Sequence, residues 1–133
     1  MANANYPYEV MDEGVPVKSV IFNDYMGTPA AKTLLDITLD RDLTIDEVFL
    51  AMGTGGTADS TVVDITDDGT SIFTTAPAFL HSVTDASQLR FIPDEDKKVI
   101  ARGSRLKVDV TAVATAGADM AVAVMGTWHT QLS

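Results

Sequence analysis

The chain contains no cysteine among its 133 residues. Disulfide staples and thiolate zinc sites are therefore excluded. Positive charge is also scarce, because nine Lys and Arg stand against nineteen Asp and Glu, a formal net charge of −10. Contacts with nucleic-acid phosphates depend on Lys and Arg, so the sequence predicts no nucleic-acid partner. An anionic membrane surface is disfavoured for the same reason.

Long apolar runs and targeting signals are missing as well. No apolar segment approaches the roughly 20 residues that a membrane helix needs. The opening residues, MANANYPYE, have neither the basic nor the apolar region of a secretory signal. We therefore expect a soluble protein that is synthesised in a cytoplasm and has no membrane partner. Its length fits one domain, and 46% hydrophobic residues can supply an apolar core.

Short apolar segments separated by Gly, Pro, Asp and Thr make up most of the chain. Their spacing is typical of an antiparallel β-sandwich or barrel, and helical periodicity is almost lacking. Leu106, Val108 and Val110 alternate with polar residues, as a strand with one wet face requires. We predict one β-sandwich domain over residues 17–133 with about eight strands, at Val17–Phe22, Leu34–Leu39, Thr44–Met52, Ser60–Thr66, Thr70–Thr75, Gln88–Ile92, Arg105–Ala114 and Met120–Trp128.

Three segments carry more specific structural predictions. Residues 120–125 are apolar on both faces, and their β-branched content and Gly126 indicate a central strand. The sequence Asp67-Asp68-Gly69 predicts a hairpin closed by a type I turn and a G1 bulge, with Gly69 at positive φ. Residues 30–35 are the only stretch that suggests a helical turn.

Residues 1–16 are predicted to form an extended N-terminal arm. The segment is polar, aromatic and punctuated by Pro7, Gly14 and Pro16. Aromatic and Met side chains are enriched in interface cores, so the arm could dock on a neighbouring protein. It could equally fold back and cover an edge of its own sheet. The candidate docking residues are Tyr6, Tyr8, Val10 and Met11.

No pattern in the sequence indicates catalysis or a bound ion. His81 and His129 lack the close spacing that would bring two imidazoles to one metal. The glycine-rich segment 53–59 lacks the Gly-Lys-Ser/Thr of a phosphate-binding loop, and no Gly-x-Ser-x-Gly elbow is present. The acidic groups do not match a calcium loop, and turn preference accounts for several of them. We therefore predict no enzyme activity, no catalytic residue, no cofactor and no metal. The acidic groups are Asp40, Asp42, Asp46 and Glu47; Asp64, Asp67 and Asp68; and Asp94, Glu95 and Asp96.

Residues 53–73, GTGGTADSTVVDITDDGTSIF, resemble small jelly-roll modules of tailed-bacteriophage virions. The shared pattern is a small-residue loop, a strand with a central Asp, a tight turn ending in Gly, and then Ser/Thr-Ile-Phe. Residues 100–110 form a second matching phrase, in which Gly103-Ser104 stands where these modules usually have Gly-Asp. The resemblance implies a jelly-roll virion protein that is commonly trimeric and has no catalytic residues.

Within that class the sequence favours a capsid decoration, or cement, protein. A fibre protein would normally add a stalk of heptads or β-helical repeats, and neither is found here. We therefore expect a homotrimer on the outer capsid surface that binds the phage major capsid protein and stabilises the shell. The alternative is the head domain of a tail fibre or receptor-binding protein that contacts a host surface glycan.

Overall fold

The computed structural model describes residues 18–83 and 88–129, and in this part of the chain every regular element is a β-strand. None of the described residues forms a helix that could span a membrane. The ten strands are β1 (Ser19–Met26), β2 (Lys32–Thr38), β3 (Leu43–Thr54), β4 (Ser60–Asp67), β5 (Thr70–Ser71), β6 (Ala78–Leu80), β7 (Leu89–Phe91), β8 (Val99–Ile100), β9 (Arg105–Ala112) and β10 (Ala118–Trp128).

The strands form two antiparallel sheets that pack face to face. Sheet A has the order β1-β10-β3, with β7 and β8 paired along the far side of β3. Sheet B has the order β2-β9-β4, with β5 and β6 paired along the far side of β4. The predicted antiparallel β-sandwich is confirmed. The strand order is compatible with jelly-roll connectivity, which stays a prediction.

The core lies between the sheets and follows the period-2 alternation of the long strands. Val63 and Ile65 of β4 are fully buried, and so are Leu43 and Leu50 of β3. The central strand β10 contributes its even-numbered residues, such as Val122. Because successive side chains of a strand point to opposite faces, the odd-numbered residues 121, 123 and 125 are left on the outer face of sheet A. The position predicted for this strand, in the middle of a sheet, is confirmed.

Some sequence predictions on local structure differ from the structure in detail. The helical turn suggested at residues 30–35 is not formed, since β2 begins at Lys32 and pairs with β9. Leu34 and Leu35 pack against the core there, and this tertiary contact outweighs the weak helical propensity. The prediction of about eight strands also missed β6 and β8, which have three and two residues and therefore no readable alternation.

The β4–β5 hairpin is confirmed, although the predicted turn type is wrong. Asp67 pairs directly with Thr70, which leaves a two-residue loop instead of three. Asp68 and Gly69 have φ values of 49° and 89°. Positive φ at both positions is the type I′ turn, whose twist matches that of the two strands it joins.

Candidate functional site

The outer face of sheet B is polar, and its side chains bond to one another. Arg105 donates from Nε and a terminal nitrogen to the two carboxylate oxygens of Asp36, at 2.6 and 2.5 Å. The bond from Arg105 lowers the pKa of the Asp36 carboxyl. Thr33 Oγ1 donates to Asp109 Oδ1 at 2.5 Å. A face of this kind is stable in water and needs no partner.

The outer face of sheet A is mostly apolar. Val20 and Tyr25 of β1 are 53% and 62% exposed. Phe49 and Ala51 lie outward on β3, between buried core residues of the same strand. Beside them lie the outward residues of β10, which are Ala121, Ala123 and Met125. We name this surface the sheet A face, and it is the candidate functional site.

A shallow open groove of about 440 Å³ runs across the sheet A face. Alanines form part of its lining, and their short side chains leave room between larger neighbours. Tyr25 and Phe49 supply aromatic surface, while Asn23 and Gln88 supply amide groups that can donate and accept hydrogen bonds. The groove therefore combines apolar surface with a few polar groups, as sites for ligands or partners commonly do.

Tyr25 is fixed on this face by a hydrogen bond to the neighbouring strand. Its hydroxyl donates to Asp119 Oδ1 at 2.6 Å. That bond stabilises the neutral phenol, and the Asp119 charge opposes a phenolate, so the pKa of Tyr25 is raised above its ordinary value. The exposed ring thus lies in a defined position before any partner arrives.

Glu47 lies on the sheet A face between two cations. Lys18 Nζ is 2.9 Å from Glu47 Oε2, and Arg90 Nε on β7 donates to Glu47 Oε1. The Glu47 side chain is only 9% exposed. The bonds from Arg90 and then Lys18 favour the carboxylate, so they hold the pKa of Glu47 below its usual range.

A β-bulge in β3 brings Glu47 to this face. Glu47 pairs with Met125 and Ile45 pairs with Gly126, so Asp46 has no opposite partner. The extra residue shifts the alternation by one position. As a result Ile45 points into the core, Glu47 points outward, and Val48 returns to the core.

The candidate residues from the sequence are scattered. Tyr6, Tyr8, Val10 and Met11, the candidate docking residues of the arm, lie outside the described residues. The two histidines contact different partners. His129 Nε2 is 2.7 Å from Thr44 Oγ1, and His81 Nδ1 is 3.0 Å from the Asp59 carbonyl oxygen. Within residues 18–83 and 88–129, no three His, Asp or Glu side chains form a group that could hold a metal ion.

Several residues of the acidic groups anchor loops. Asp42 Oδ1 accepts a hydrogen bond from the Arg102 backbone N–H at 2.8 Å. Asp94 accepts hydrogen bonds from the backbone N–H and the hydroxyl of Thr74, at 3.0 and 2.8 Å. These bonds lower the pKa of Asp94. Carboxylates used in this way fix loops to the sandwich.

The comparisons with known proteins add no relative to these findings. No protein-family model, no curated protein and no solved structure matches the chain.

Proposed function

We propose that this protein is a capsid decoration protein of a tailed bacteriophage, a jelly-roll sandwich that binds the outside of the major capsid shell and stabilises it. The observation that carries the proposal is the sheet A face, an apolar surface that no other described residue covers, on a sandwich whose opposite face is polar. Contiguous exposed apolar surface on a small domain marks an interaction site. The resemblance of residues 53–73 to phage virion modules supplies the setting, and with it the proposed homotrimer.

The position at which the N-terminal arm joins the sandwich supports the same docking surface. Lys18, the first described residue, is bonded to Glu47 on the sheet A face. The arm and this face can therefore contact one partner together. At about 3.3 Å per residue, sixteen extended residues could reach roughly 50 Å from that position. We propose that Tyr6, Tyr8, Val10 and Met11 contact the capsid together with the sheet A face, while the rest of the sandwich supplies the contacts between copies.

Two cations lie at the rim of the sheet A face. The chain has a net charge of −10, whereas Lys18 and Arg90 remain 48% and 57% exposed beside Glu47. Cations at the rim of an apolar surface steer association towards partners with exposed carboxylates. We therefore propose a capsid surface that is apolar at the contact and acidic at its border.

Purified particles provide the direct test. Heads and tails of the phage that carries the gene are separated, and the copies of the protein on each are counted by mass spectrometry. Many copies on heads are expected, and copies confined to tail tips would refute the decoration role. The purified protein should also bind heads that lack it.

Deletion of residues 2–13 tests the role of the arm. The truncated protein is expected to keep its circular dichroism spectrum and its oligomeric mass but to lose binding to heads. Binding at wild-type occupancy would show that the arm is dispensable. Failure to fold would show instead that the arm covers an edge of its own sandwich.

A second candidate function is glycan binding in the groove. The supporting observation is that Tyr25 exposes its ring next to the amide groups of Asn23 and Gln88. Aromatic faces with adjacent hydrogen-bonding groups suit sugar rings, which have both apolar and hydroxyl surfaces. A glycan array followed by calorimetry tests this idea. Tyr25→Ala should abolish any binding found, whereas Val20→Ala should leave it unchanged; an array without signal would refute it.

A further inference from the structure

The groove on the sheet A face follows the central strand β10. Its floor includes Ala121 and Ala123, whose short side chains lie two positions apart on the outer side of that strand. Tyr25 of β1 is in register with Ala121 on one side, and Phe49 of β3 is in register with Ala123 on the other side. Because β10 lies between them, the two wall strands are about 10 Å apart. The groove therefore has room for one extended chain that runs along β10.

The near end of the groove is the end at which the described chain begins. Lys18 Nζ is 2.9 Å from Glu47 Oε2, and Glu47 is opposite Met125 of β10. The arm, residues 1–16, precedes this point with only one residue between. From the row of Met125 to the row of Ala121 the distance is about 13 Å, which four extended residues cover. The arm is therefore long enough to turn back where it joins the sandwich and to run through the whole groove.

The order of residue types in the arm matches the order of surfaces along the groove. Counting back from Lys18, the turn-forming residues Pro16 and Gly14 come first, and carboxylates follow at positions 13 and 12. Aromatic and aliphatic side chains come next, at positions 11 to 6. On the face, the Lys18 and Arg90 cations lie at the near end, and the alanines with their aromatic walls lie beyond. An arm that turned back would therefore bring its carboxylates to the cations and its apolar side chains to the groove.

Charge complementarity also favours the arm as the occupant. The arm contains three carboxylates, at positions 9, 12 and 13, and no Lys or Arg. The near end of the groove has two well-exposed cations around the single carboxylate of Glu47. Among the described residues that line the groove itself, Asp24 is the only charged one, so uncharged side chains fit there. In an extended arm Tyr8 and Val10 would share one face, and Glu9 would point away from the groove.

We infer that the arm of each copy lies in its own groove in the free protein, with Tyr8 and Val10 over the alanines. The arm then covers apolar surface that water would otherwise contact. A segment attached at one end of its site has an effective concentration on the order of millimolar, which favours it over the arm of another copy. A capsid that binds the sheet A face must displace the arm, and the aromatic residues of the arm then become available to the shell. The inference goes beyond the proposed function, because it concerns the protein before it meets a capsid.

Paramagnetic relaxation enhancement on the full chain tests the inference. The chain has no cysteine, so Glu9→Cys creates a single attachment site for a nitroxide label, at a position that points away from the groove. The amide NMR signals of Phe49 and Ala51 in the groove should lose most of their intensity. Those of Asp64 and Asp109 on sheet B should keep theirs. Chemical reduction of the nitroxide should restore the lost signals.

Two matched variants of the labelled chain locate the contact. Ala121→Gln places a longer side chain on the floor of the groove, so it should restore the signals of Phe49 and Ala51. Thr111→Gln enlarges an exposed side chain on the outer face of sheet B, and it should leave the broadening unchanged. Circular dichroism checks the folding of both variants, and Ala123→Gln replaces Ala121→Gln if that variant unfolds.

Three results would overturn the inference. Unchanged groove signals would show that the arm lies elsewhere, and broadening that survives Ala121→Gln would place its contact outside the groove. The third result comes from an equimolar mixture of spin-labelled chains and isotope-labelled chains that lack the spin label. Groove signals that broaden in this mixture would assign the groove to the arm of a second copy.

The outcome is independent of the test on purified heads. No measurement on the labelled chain needs a phage particle, so its failure would leave the proposed capsid role standing. If the protein does not bind heads, the capsid role is refuted, and the position of the arm in the free protein is unaffected.

Discussion

Lys18 Nζ lies 2.9 Å from Glu47 Oε2, although 29 positions separate the two residues in the chain. Arg90 approaches the other carboxylate oxygen from β7, on the opposite side of β3 from β10. One carboxylate thus joins an edge strand, the start of the described chain and the middle of β3. Without that charge the two cations would face each other across the sheet A face.

Glu47→Gln should destabilise the protein in a way that depends on pH. The two cations lower the pKa of Glu47 in the folded state, so the ionised carboxylate contributes stability above its unfolded pKa. This contribution is lost as the pH falls through the lower folded pKa. Urea unfolding should therefore show a less stable variant at neutral pH and a difference that disappears in acid.

Glu95→Gln is the control for that experiment. Glu95 lies 2.9 Å from Lys98, but its side chain is 87% exposed, and such surface pairs contribute little to stability. The unfolding curve of this variant should match the wild type at every pH. A Glu47→Gln defect of equal size at neutral and acidic pH would show that the amide disturbs packing and that the charge is unimportant.

Two adjacent valines on β4 test the alternation that builds the core. Val63 is fully buried, whereas Val62 points to the outer face of sheet B and is partly exposed. Val63→Ala should lower the free energy of unfolding by about 2 kcal/mol, because apolar burial is lost and a cavity is left. Val62→Ala should lower it by less than about 1 kcal/mol. Equal losses in chemical denaturation would contradict the burial pattern.

The long strands could be predicted because one side of each is buried. In β9 the alternation of Leu106, Val108 and Val110 with polar residues is unbroken, and the structure buries all three. β6 and β8 could not be predicted in this way, since three or two residues cannot display a period. Their positions depend on pairing with β4 and β3, which are distant in the sequence.

The sheet A face was harder to predict than the fold. The sequence placed Glu47 in an acidic group with Asp46. A cluster of acidic residues does not reveal the β3 bulge that turns the Glu47 side chain outward. Its partner Arg90 is 43 positions away and becomes a neighbour only through the β3–β7 register, in which Phe49 pairs with Arg90. One signal was present: Ile45 and Val48 are out of phase for a regular strand.

Gly69→Ala should weaken the β4–β5 hairpin. Gly69 has a φ of 89°, and no atom lies within 4 Å of the position that a Cβ would occupy. The penalty is therefore conformational and not steric, on the order of 1 kcal/mol in the free energy of unfolding. Gly27→Ala is the matched control, because its φ is outside the left-handed region and its nearest neighbour is 3.9 Å away. Thermal melts in which both variants lose equal stability would contradict the assigned turn.

Tyr25 should titrate at higher pH than an unperturbed tyrosine. Its hydroxyl bonds to Asp119, and both this bond and the negative charge disfavour the phenolate. A group whose folded pKa is raised contributes stability below its unfolded pKa, and that contribution disappears as the pH rises through the folded pKa. Asp119→Asn removes the charge and weakens the bond, so it should move the pKa of Tyr25 back towards its ordinary value.

Ultraviolet absorbance of the phenolate follows this titration, and Tyr25→Phe identifies which of the three tyrosines is responsible. The late-titrating component should be missing from the Tyr25→Phe spectrum and should shift to lower pH in Asp119→Asn. Asp109→Asn, an exposed carboxylate on the other sheet, serves as the control and should leave it unchanged. A component that persists in Tyr25→Phe would belong to Tyr6 or Tyr8. The ring of Tyr25 would then not be held by Asp119, and the groove would lose its fixed aromatic wall.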